Sequence, residues 1–201
     1  MSSRNLIRWA GLAGAIGGVL IVATDIVTLA AFFHKPPSVV GASSAWFITL
    51  FLEMVAAYLA FLALVGLYAR QTSESGAFGF TSFIVASFGT ALNIGLLWAG
   101  TFLVHDLAAV APAFLDSTET TLSAIGAFSA VVILAIGWTL FGIASLRAKV
   151  LPALPSWLLV FGASLSLVLT FTGLPLETVV FGVALVWLGW WLWSGKGTSA
   201  D

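Results

Sequence analysis

The sequence contains no cysteine. Disulfides, thiolate metal sites and cysteine nucleophiles are therefore excluded. Charge is also scarce. Asp, Glu, Lys and Arg make up 7% of the 201 residues, against roughly 25% in a soluble domain. So few charges do not cover a globular surface in water. The net charge is −1, with no basic run and no acidic tail, so nucleic-acid binding has no electrostatic footing. The two histidines, His34 and His105, flank apolar runs rather than lying inside them, which disfavours buried bis-histidine haem ligation. No phosphate-binding glycine loop, no H-E-x-x-H and no lysine within an apolar run is found. "GASLS" at Gly162 has the look of an intramembrane serine-protease motif, but that chemistry needs a base beside the nucleophile, and no histidine lies in a span.

What is present is apolar. Hydrophobic residues make up 61% of the chain, and the mean hydropathy is +1.13. Lipid is the expected solvent, and a membrane helix needs about 20 apolar residues. Six segments qualify: 6–33, 44–69, 77–104, 120–146, 156–172 and 176–193. The expectation is one all-α domain over residues 1–201, a polytopic bundle of six transmembrane helices. Its breaks have physical causes. The prolines of "HKPPS" end the first span, "RQTSESG" after Ala69 reads as a polar turn, and "LPALPS" and "GLP" mark later helix starts, with Gly173 a C-terminal cap.

Lys and Arg set the expected orientation. Arg4, Arg8, Arg70, Arg147, Lys149 and Lys196 fall on one side and Lys35 on the other, so both termini are expected in the cytoplasm. The first apolar stretch exceeds a secretory signal core, so it is read as a retained span. A multi-pass protein of a plasma (inner) membrane follows. Trp9, Trp157, Trp190, Trp191 and Trp193 suit one interface and Trp46 the other. Trp98 and Trp138 lie deeper, where core packing is the simpler reading.

Three spans each carry a strongly polar group along a small-residue face. Asp25 continues a stripe of Ala10, Gly14 and Gly18, Glu53 precedes Ala56, Ala57 and Ala60, and Asn93 shares a face with Ala86, Gly89 and Gly100. Helical rise puts Asp25 and Glu53 each roughly 12 Å below the outer surface and Asn93 roughly 16 Å below it. No basic residue lies at that depth. Intramembrane ionisable groups are functional candidates by default; helix–helix hydrogen bonding is the simpler alternative. Of the other polar groups, Glu177, Asp116 and Glu119 read as helix-start residues, and His105 with Asp106 as an exposed pair at a helix end.

Three functions compete on this reading. The favoured one is a membrane protein whose polar pocket, formed by Asp25, Glu53 and Asn93 with Trp98, binds a small hydrophobic molecule or a cation, as a small transporter does. The second is an intramembrane enzyme, an isomerase or cyclase of lipids or isoprenoids. In it Asp25 and Glu53 act as general acid and base, and the Trp98 ring stabilises a developing cation. The third is a structural or accessory subunit whose small-residue stripe docks a membrane partner or a second copy. No cofactor or metal is expected. The partners are membrane lipids.

The stretches "RWAGLAGAIGGVL", "ALVGLYARQ" after the span-two acid, and "LFGIASLRAKVLPALPSWLLVFGASLSLV" together resemble a bacterial six-span membrane family, the domain of unknown function numbered 4386. The resemblance covers nearly the whole chain. It implies a six-helix bundle in a bacterial plasma membrane and implies no activity. Glu53 matches the acid of the family's second span; Asp25 has no counterpart in the pattern.

Overall fold

A computed structural model describes residues 3–117, 122–170 and 178–195. Glu119, Gly173, Pro175, Glu177 and Lys196 lie outside the described residues, as does the side chain of Thr170. Among the described residues the structure is all helical. The helices are α1 (Ser3–Ala31), α2 (Pro37–Gly41), α3 (Ser44–Trp98), α4 (Val104–Val110), α5 (Pro112–Leu115), α6 (Leu122–Ala148), α7 (Ala153–Thr170) and α8 (Val179–Trp193), with a π-helical turn, Ala99–Leu103, joining α3 to α4. Three helical stretches, Asn5–Ala31, Ser44–Val110 and Leu122–Ala148, are long and apolar enough to cross a membrane. The helices α7 and α8 are shorter and equally apolar.

The longest helix is folded in two. Phe47 meets Phe102 edge to face at 5.6 Å, and Tyr68 stacks on Phe83 at 4.3 Å. In one straight helix Phe47 and Phe102 would lie roughly 80 Å apart. The chain reverses at Gly76, whose φ of 57° and ψ of −159° suit glycine because it has no Cβ. This corrects the reading of "RQTSESG" as a polar turn. Helix persists through Gln71–Ser75, with the Thr72 hydroxyl donating to the Tyr68 carbonyl at 2.8 Å, and a single residue makes the break. The two arms, residues 44–75 and 77–98, therefore run antiparallel.

Packing closes a ring. α1 packs on α3 and α8, α6 packs on α3 and α7, and α7 packs on α8. Small residues set the spacing where helix backbones meet. A Cβ on Gly89 would lie 2.6 Å from the backbone of Leu134, and one on Gly137 would lie 2.5 Å from the Ala86 Cα. The α1 stripe is used up inside the bundle: Gly11 and Gly18 lie against α8, and Gly14 faces Ala63 of α3. Large apolar side chains such as Val19, Phe88, Phe161 and Val168 face outward along the helix midsections. Small and hydroxylic ones, including Ala56, Ala86, Ser82 and Thr90, are buried. Lipid-embedded bundles show this arrangement, because apolar exteriors cost nothing against acyl chains while close helix approach needs small interfaces.

The two ends of the ring are fastened differently. At one end the Arg8 guanidinium donates to the Trp193 carbonyl at 3.3 Å and lies over the Trp193 ring at 5.0 Å. At the other end α2, α4 and α5 form a short cap. The Asp116 carboxylate accepts from the Ser38 backbone N–H at 2.9 Å and from its hydroxyl at 2.6 Å, and the His105 Nδ1 lies 2.8 Å from the Gly41 carbonyl. Asp116 thus sits at the start of α2, and His105, expected in an exposed pair, is half-buried against it.

Element bounds shift modestly from the sequence reading. The third span runs on through the π-helical turn to Val110. The fifth begins at Ala153 rather than Ser156, because Pro155 in a first helical turn needs no N–H partner. The described part of the sixth begins at Val179.

Candidate functional site

A cavity of about 50 Å³ lies inside the ring. Both arms of α3 supply its polar side. On the first arm Glu53, Ala57 and Ala60 share one face, and on the second Thr90, Asn93 and Leu97 do so. Opposite them lie Leu134, Ala135 and Trp138 of α6, and Ala163 and Ser166 of α7. Ile21 of α1, with Thr178 and Phe181 at the start of α8, completes the wall. Every long helix of the ring contributes.

Trp138 is 1% exposed, and its indole N–H donates to the Thr90 hydroxyl oxygen at 3.0 Å. That hydroxyl donates in turn to the Ala86 carbonyl at 2.7 Å. Phe181 meets the indole edge to face at 4.9 Å. This wall is rigid, because a buried indole with a satisfied N–H has one orientation that keeps both its packing and its hydrogen bond. The Ser166 hydroxyl donates to the Ala163 carbonyl at 2.8 Å. The hydroxyl donors of the lining are therefore committed to protein acceptors. Among the described residues of the lining, Glu53, half-buried, is the ionisable one, and none is Lys, Arg or His. The Asn93 side chain, also half-buried, has no hydrogen-bond partner among the described residues.

The structure therefore brings two of the expected site residues, Glu53 and Asn93, to one cavity. Trp98 lies elsewhere, and Asp25 is not in the lining but bonds to Thr178, which is. Asp25 is 7% exposed and turned toward α8, where its Oδ2 accepts from the Thr178 backbone N–H at 3.1 Å and from the Thr178 hydroxyl at 2.8 Å. A carboxylate beside the N-terminus of a helix, here at the N-cap residue Thr178, is favoured by the helix dipole. Trp98 is 56% exposed and packs on Phe102 at 5.6 Å. Leu97 faces the cavity, and the next residue on a helix points about 100° away. Thr49 and Thr101 are buried and donate to their own helix, at the Ala45 and Leu97 carbonyls.

Four lining residues with polar side-chain groups were not expected at a site: Trp138, Thr90, Ser166 and Thr178. Trp138 carried a signal in its depth, since an indole away from the interface needs a buried partner for its N–H. The other three have no signature beyond being hydroxyls in apolar helices.

The π-helical turn begins just after the Asn93–Leu97 face, and such turns recur at functional positions in helices. Chemically, the arrangement offers a carboxyl and a primary amide over a small apolar floor. Among the described residues no cluster of three or more His, Asp or Glu residues is placed to hold a metal. Comparison with protein-family models, with curated proteins and with solved structures found no match to this chain.

Proposed function

We propose that the protein is a multi-pass membrane protein that binds a small molecule in the central cavity, with Glu53 and Asn93 as its polar contacts. In this reading the α3 arms count as separate spans, giving six crossings with both termini in the cytoplasm of a bacterial plasma membrane. The positive-inside distribution of Lys and Arg supports that orientation. Fusion of a topology reporter to each terminus tests it, with cytoplasmic signal expected at both.

The observation that carries the binding reading is the convergence of Glu53 and Asn93 on one partly open, mostly apolar space. Ligand sites are mostly apolar concavities with a few convergent polar groups, and an ionisable side chain in a span is costly to keep without use. Asp25 supports a different role. Its bonds to Thr178 join α1 to α8, so the acid–base pair of an isomerase or cyclase gains no support from its position.

A panel of small solutes, read by thermal unfolding of the detergent-purified chain, tests this function. A ligand that binds the folded state raises the unfolding temperature, by an amount that grows with the logarithm of its concentration relative to its dissociation constant. At least one solute is expected to stabilise the wild type and to lose that effect in Ala57→Leu, which fills the cavity. Equal stabilisation of both proteins by every active solute would place binding elsewhere.

A further inference from the structure

We infer that the ligand is a small alkylammonium ion, held by Glu53 and Asn93 with its alkyl part on the alanine floor. This rests on the binding function proposed above and names its chemical class.

The first argument is the balance of donors and acceptors. Trp138 N–H is given to Thr90, the Thr90 hydroxyl to Ala86, the Ser166 hydroxyl to Ala163 and the Thr178 hydroxyl to Asp25. A carboxylate presents about four lone-pair sites, so Glu53 keeps acceptor capacity for a guest while bonded within the bundle. The Asn93 amide adds a carbonyl acceptor and two N–H donors. A guest that donates to Glu53 fits; an anion does not.

The second argument is charge. Among the described residues of the lining, Glu53 is the ionisable one and none is basic. An ionised carboxylate in an apolar setting is stabilised by a cation with hydrogen-bond donors, and such charge-assisted bonds are roughly twice as strong as neutral ones. A bare metal ion is a poorer guest, since hard cations take six or more oxygen ligands and the lining does not supply them.

The third argument is size and surface. About 50 Å³ holds a few water-sized groups, at roughly 10–15 Å³ each. That admits an ammonium head with one or two carbons. Ala57, Ala60, Ala135 and Ala163 form an apolar floor that suits those carbons and leaves an inorganic ion poorly solvated.

The test is direct binding to the detergent-purified full chain, by calorimetry and by thermal unfolding. Ethylammonium is compared with ethanol, a neutral molecule of matching size, and with tetraethylammonium, which is much larger. Saturable binding of ethylammonium is expected, with ethanol and tetraethylammonium inactive. Glu53→Gln is expected to weaken ethylammonium binding about tenfold or more. If Glu53→Gln does not fold, Ala135→Leu replaces it as the locating variant and is expected to abolish binding. Equal binding of ethanol, or ethylammonium binding unchanged in Glu53→Gln or Ala135→Leu, overturns the alkylammonium assignment. Cavity-dependent ethanol binding would still leave the binding function standing. Absence of binding by every probe overturns the assignment, whereas the solute panel above decides the binding function separately.

Discussion

Thr178 gives both its backbone N–H and its hydroxyl to one oxygen of Asp25, at 3.1 Å and 2.8 Å. The two residues are 153 positions apart in the chain, and their contact fastens the start of α8 to the C-terminal part of α1. Asp25 is thus a structural acid, and Glu53 is the acid that faces the cavity.

Removing Asp25 should therefore cost stability. Asp25→Ala leaves the Thr178 donors without their acceptor, and hydrogen bonds to charged groups are worth about 1.5–3 kcal/mol. A loss of that order is expected in denaturant titration of the detergent-solubilised chain. A neutral outcome would show that the Thr178 contact contributes nothing.

Two glycines on the same helix arm should behave oppositely. Gly89 lies against the Leu134 backbone, so Gly89→Ala forces α3 and α6 apart and should cost about 1–3 kcal/mol. A Cβ on Gly95 meets nothing within 4 Å. Gly95→Ala should be neutral or stabilise by up to about 1 kcal/mol, the difference in helix propensity. Thermal unfolding of the two variants checks the contrast, and equal losses would contradict the placement of the α3–α6 crossing.

Gln71 is fully buried near the reversal of α3, and neither end of its amide has a hydrogen-bond partner among the described residues. A buried unsatisfied polar group costs about 1–3 kcal/mol, and an apolar side chain of similar shape removes that cost. Gln71→Met should raise the unfolding temperature. A fall would mean that the amide makes bonds that matter.

The α2–α5 cap should be acid-sensitive. The Ser38 hydroxyl, then the Ser38 backbone N–H, hold the Asp116 carboxyl below its ordinary value of 3.8. A carboxyl with a lowered folded value stabilises the fold fully above the unfolded value and loses that contribution as pH falls through the folded one. The support is therefore present above about pH 4 and disappears below it. Hydrogen exchange at the Ser38 amide should accelerate, relative to pH-corrected intrinsic rates, on going from about pH 5 to about pH 3. Asp116→Asn should remove that change.

Much of this was legible in the sequence, and what was not has a common cause. Apolar runs and prolines gave the helices, and small-residue spacing gave the faces by which α1 meets its neighbours. Glu53 and Asn93 were readable because each continues a small-residue face of its own helix. Asp25 also continues such a face, yet the neighbour that receives it is α8 rather than the cavity. Azimuth toward a particular partner is a property of two helices together, and no local pattern encodes it. The same holds for Trp98, one residue past Leu97 and therefore on the outer face. The reversal at Gly76 was hidden by composition: Gln, Ser and Glu look like a turn but tolerate helix, and only glycine takes the φ that breaks it.

The most direct test compares two conservative acid-to-amide changes in one ligand-binding measurement. The thermal stabilisation produced by ethylammonium should be lost in Glu53→Gln and kept in Asp25→Asn, whatever the latter does to baseline stability. Loss in Asp25→Asn with retention in Glu53→Gln would contradict the assignment of the cavity to Glu53.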